Sequence, residues 1–84
     1  MNINVIKLYI DKLKKDDIKV FLKSNNIIVD DNELDYLYIV VKNKYEDFLN
    51  NDITVLNNIK ENINNEAYIK LLELYNKYKS LYLD

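Results

Sequence analysis

Residues 30–49 read DDNELDYLYIVVKNKYEDFL. Leu34, Leu37, Tyr38, Val41, Tyr45 and Phe48 recur at steps of three and four, the spacing that lines apolar side chains along one face of an α-helix. Asp30 or Asp31 is placed to begin that helix, because carboxylates near an N-terminus satisfy free amides and suit the macrodipole. Within Lys42, Asn43 and Lys44, Asn43 is the one residue suited to breaking it before Leu49. Tyr36, Ile39 and Val40 fall away from the stripe at the 100° helical step, so the first half is apolar nearly all round. Such a helix must be covered. Either it runs through the middle of a bundle, packed by the first, second and fifth helices, or those residues meet another chain.

The same periodicity extends in both directions. Ile3, Ile6, Ile10 and Leu13, with Tyr9 beside them, predict a first helix over 3–13. Asp16 or Asp17 is placed to cap a short second helix that carries Ile18, Phe21 and Leu22 on one face. Ser24, Asn25 and Asn26 should end it, since Asn best tolerates the left-handed C′ position in a chain without glycine. Ile27, Ile28 and Val29 read as an extended, buried connector. Asp52 is a suitable cap for a fourth helix with Leu56, Ile59 and Ile63, which Asn64 and Asn65 interrupt. The fifth helix then bears Tyr68, Leu71, Leu72, Tyr75, Tyr78 and Tyr82. The expected architecture is therefore all-α, a compact four- or five-helix bundle over residues 1–84, with a radius of gyration of about 12 Å.

Composition agrees with that class. The 84 residues (10.1 kDa) fit one domain and contain no Gly and no Pro, which disfavours most β architectures and any glycine-rich phosphate loop. All 12 basic residues are lysine, and Asn (14), Ile (11) and Tyr (8) are abundant, as AT-rich codons favour. This points to a low-G+C source, whether bacterial, phage or viral. Cysteine is absent, so packing alone must hold the domain together, in keeping with a cytoplasmic location. The longest apolar runs, Ile27–Val29 and Tyr36–Val41, fall far short of a membrane span of roughly 18 residues.

The segments FLKSNNIIVDDNEL (Phe21–Leu34) and NNDITVLNNIKENI (Asn50–Ile63), flanking a central helix, resemble the YqfT-like small bacterial proteins of unknown function. The likeness covers most of the chain through its polar-capped NNI connector and hydrophobic spacing. The basic, glycine-containing stretch of that pattern is replaced here by Lys42, Asn43 and Lys44, without glycine. What the resemblance implies is a small helical fold and no assigned activity.

The available chemistry is narrow. Without His or Cys the commonest general base, nucleophile partner and transition-metal ligands are missing, leaving carboxylates, lysines and tyrosines. An 84-residue bundle has little depth in which to shift their pKa values, so no catalytic residue, cofactor or metal site is expected. The cluster Asp30, Asp31, Asn32, Glu33 and Asp35 lacks the glycine and ligand alternation of a calcium loop and reads as helix capping.

Charge is uneven along the chain: +3 over residues 1–24, −6 over 25–66 and +1 over 67–84. Lys14, Lys15, Lys19 and Lys23 are candidate phosphate contacts for a nucleic-acid-binding alternative, which the pI of about 5.1 and the lack of arginine disfavour. The leading expectation is a non-enzymatic protein-interaction module, or a homodimer. Tyr36, Ile39, Val40, Leu74 and Tyr78 are its candidate contacts, because Tyr buries a large ring while keeping a hydroxyl for hydrogen bonding. An inhibitor of a host complex, encoded by a phage or virus, is a further reading.

Overall fold

A computed structural model describes residues 3–50 and 53–82, with the backbone alone for Ile3, Phe48, Leu49, Tyr78, Lys79, Leu81 and Tyr82. Five helices follow one another: α1 (Ile3–Lys12), α2 (Lys15–Ser24), α3 (Asp31–Leu49), α4 (Ile53–Asn62) and α5 (Asn65–Tyr82). No strand occurs among the described residues. The bundle measures 31 × 24 × 23 Å, with a radius of gyration of 12.1 Å. Asp52, expected to cap α4, lies outside the described residues.

The starts of α2 and α3 depend on carboxylates, though not always at the expected position. At α2 the N-cap residue is Lys14, not Asp16 or Asp17. Asp17 occupies the third helical position, where its Oδ2 accepts the Lys14 N–H at 2.9 Å, because a carboxylate there can reach back across the first turn. At α3 both halves of a capping box form. Asp30 Oδ1 accepts the Glu33 N–H at 2.7 Å, and Glu33 Oε1 accepts the Asp30 N–H at 2.9 Å.

Helix ends are closed without glycine. Asn26 takes φ 60°, the left-handed C′ position. Its N–H bonds Lys23 O at 3.1 Å and the next N–H, from Ile27, bonds Leu22 O at 2.9 Å, completing a Schellman motif. The accompanying apolar contact is Ile27 with Leu22, both buried in the core. Ser24 Oγ and Asn25 Nδ2 bond the carbonyls of Val20 and Phe21 four residues back, at 2.8 Å each. The C-terminus of α1 is closed from a distance: Lys42 Nζ donates to Ile10 O (2.8 Å), Asp11 O (3.1 Å) and Leu13 O (3.2 Å). Its ammonium also lies 6.0 Å from the centre of the Tyr38 ring.

The core draws on α2, the connector, α3, α4 and the start of α5: Ile18, Leu22, Ile27, Leu34, Leu37, Val40, Val55, Ile59, Ile63 and Ala67. As a central helix α3 packs against α1, α2 and α4, the last a neighbour that the expectation did not include, while Leu71 of α5 shares a cleft with Leu37 and Val41 of α3. The axis of α3 kinks at Lys44 (φ −127°, ψ 19°), one residue after Asn43, where the sequence allowed a break as the alternative to a continuous helix. Asn43 Nδ2 reaches back to Ile39 O at 3.1 Å, a side-chain bond that competes with the helical ladder and bends helices. The connector after α2 is not buried throughout. Ile27 and Val29 turn inward, but Ile28 is 82% exposed, because alternate residues of an extended segment point to opposite sides.

Candidate interaction surface

Four helices enclose an apolar cleft of about 330 Å³ on one side of the bundle. From α1 and the residue after it come Tyr9 and Leu13, one helical turn apart; α2 supplies Asp17, Ile18, Phe21 and Leu22; α3 and α5 add Leu37, Val41 and Leu71. Phe21 lies on the opposite flank of Ile18 from Leu22 at the 100° helical step, so when Leu22 is driven inward Phe21 is left at the lip. Tyr9 is 72% exposed and Phe21 42%, and Val5, one turn before Tyr9, is exposed too. Asp17 is the one charged lining residue. Covering either ring fully is worth about 1.5–3 kcal/mol, so this edge favours association more strongly than the charged faces do.

Of the contacts expected on the third and fifth helices, three of the four whose side chains are described pack into or against the core. Val40 is 8% exposed and belongs to the core cluster that also holds Val55 and Ile59 of α4. Tyr36 is half-buried against the core, and burial pushes its phenol above the ordinary value, partly offset by the Asn62 side chain hydrogen-bonded to it. Leu74 likewise packs against the core. Ile39 stands out at 57% exposure. The Tyr78 side chain lies outside the described residues.

Of the candidate phosphate contacts, Lys14, Lys15, Lys19 and Lys23 are all exposed, and the last three follow at four-residue spacing along α2. Lys15 is paired with Asp35 on α3; the hydrogen bond between them, then the attraction of that carboxylate, raises its ammonium above the usual lysine value. Tyr45 is also raised, by burial first and then by the charge of Glu46, to whose Oε1 its hydroxyl donates at 3.3 Å.

The residues missing from the sequence reading are Tyr9 and Phe21 as exposed lips. The apolar spacing puts Phe21 on one face with Ile18 and Leu22, yet a ten-residue helix with Ile18 and Leu22 already inward has room for little more. Among the described residues no group of three or more Asp or Glu side chains is arranged to hold a metal ion, and no helix is long and apolar enough to cross a membrane. No protein-family model matches the chain, and neither a curated protein nor a solved structure matches it significantly.

Proposed function

We propose that the protein is a small non-enzymatic interaction module that seats an apolar helix face, from another protein or a second copy, in the cleft edged by Tyr9 and Phe21. The observation that carries this reading is two aromatic side chains held open over a floor of Leu13, Ile18, Leu37 and Val41. Amphipathic helices dock in such grooves through side chains three and four residues apart. Tyr and Phe suit the task because each offers much contact area for little lost side-chain freedom. A cytoplasmic setting suits the cysteine-free composition. Service as an inhibitor of a host complex would use the same cleft.

Sedimentation across a concentration series, with the wild type beside Phe21→Glu and Tyr9→Glu, tests the self-association branch. Affinity capture with the same three proteins tests the other. A dimer, or a captured partner, that is lost in both variants while helicity persists supports the proposal. A monomer whose captured proteins are the same with and without the two aromatic rings overturns it.

A further inference from the structure

A second cleft, of about 300 Å³, opens on a different side, between α2, the connector and α5. Leu22, Ile27 and Leu34 form its floor, whereas its rim carries the ammonium groups of Lys19, Lys23 and Lys70 against the single carboxylate of Asp31. We propose that this cleft binds a small amphipathic anion, a carboxylate on a short unbranched apolar body such as a medium-chain fatty acid.

Charge and shape each remove an alternative. A wholly apolar ligand would leave the ammonium groups of Lys19 and Lys23 unused, and a bare anion would leave the apolar floor uncovered. The volume lies at the lower end of ligand sites, which run from about 300 to 1,000 Å³, so the apolar body is short. Lys70 is already engaged, donating to Asn26 O at 3.1 Å and pairing with Glu66 at 3.3 Å. Lys19 and Lys23, one turn apart on α2, have no ion-pair or hydrogen-bond partner for their ammonium groups among the described residues, so they supply the charge.

The wall facing them is fixed in advance. Asn26 is held by the Schellman bonds and by Lys70, and Asn64 Nδ2 bonds Ile28 O at 2.9 Å. Little ordering is therefore left for the ligand to impose. Ile28, its side chain exposed beside this wall, can cover the end of the apolar body.

The test is titration of the full chain with acetate, butanoate, hexanoate, octanoate and octanol, followed by calorimetry and amide chemical shifts. Affinity should rise along the acids by up to about fourfold per buried methylene, with shifts centred on Ile27, Ile28 and Leu34. Lys19→Gln combined with Lys23→Gln should weaken octanoate about fivefold or more and leave octanol unchanged. Asp31→Asn should strengthen octanoate, a gain that loss of folding cannot imitate. Phe21→Glu should have no effect, which separates this site from the cleft of the proposed function. The proposal is overturned if octanol binds as tightly as octanoate, if the shifts centre on Tyr9 and Phe21, if the double variant binds unchanged, or if octanoate does not bind at millimolar concentration.

Discussion

The carboxylate of Glu33 accepts the backbone N–H of Asn64, thirty-one residues further along the chain, and so joins the N-termini of α3 and α5. Each partner also caps its own helix: Glu33 Oε1 accepts the Asp30 N–H at 2.9 Å, and Asn64 Oδ1 accepts the Ala67 N–H at 2.8 Å. One carboxylate therefore serves two helix starts. Glu33→Ala should lower stability by about 2 kcal/mol, the range of a charge-assisted bond plus a cap, or roughly 10 °C in Tm for a domain of this size. Glu33→Gln keeps an acceptor oxygen and should lose about half as much. Thermal unfolding of the two variants beside the wild type measures both values.

Asn26 offers a test with the opposite sign. A residue with a Cβ pays for the left-handed conformation at φ 60°, and Asn pays less than most. Asn26→Gly should raise stability by about 0.5 kcal/mol, whereas Asn26→Ala should lower it by about 1 kcal/mol. Urea midpoints with unchanged m-values would show that both changes act on stability alone.

These two sites differ in how far the sequence could reveal them. Asn26 was readable because a helix end is a local event: in a chain without glycine, an Asn pair after a ten-residue apolar pattern has few other roles. Asp30 was readable for the same reason. The Glu33–Asn64 pairing was not, since it depends on where α5 starts in space. The sequence left two readings open for Tyr36, Ile39 and Val40, because an all-round apolar helix does not fix its inward direction; Val40 lies in the core, as the bundle-centre reading has it, and Ile39 stays outside. Ala67, only 1% exposed, escaped notice because a methyl group adds little to an apolar stripe, although its small size suits close packing against the core. The cleft at Tyr9 and Phe21 required four helices to be placed before it existed at all.

Lys42 should act locally. Its ammonium is the shared donor for three carbonyls at the end of α1, and α1 packs chiefly on α3. Lys42→Met keeps most of the apolar stem but removes the donor, leaving those carbonyls to water and fraying the helix. A loss of about 1–2 kcal/mol is expected. Amide exchange should accelerate through α1 more than through α4; uniform acceleration would mean that Lys42 supports the whole bundle instead.

Alkaline pH should destabilise the fold. The folded protein holds the Tyr36 proton more tightly than the unfolded chain, whose phenol titrates near 10.0, and Lys15 is raised above 10.5. Groups raised in this way contribute fully below their unfolded values and lose that contribution as pH climbs through the folded ones. Stability should therefore begin to fall near pH 10, with Tyr36→Phe showing a shallower decline. Chemical denaturation at a series of pH values measures the slope, and an equal slope in the variant would remove Tyr36 as a contributor.

Adjacent positions on α3 provide the sharpest contrast. Val40 is 8% exposed within the core and Ile39 is 57% exposed, although both are β-branched and share one helical turn. Val40→Lys would bury an ammonium without a partner, at about 3–5 kcal/mol. A domain of this length has about 4–13 kcal/mol in total, so unfolding or severe destabilisation follows. Ile39→Lys places the same charge in water and should change stability by no more than about 0.5 kcal/mol. Circular dichroism separates the two variants directly. If Ile39→Lys stays folded but also loses a partner that depends on Phe21, the contact must extend beyond the Tyr9–Phe21 cleft, because Ile39 is not part of its lining.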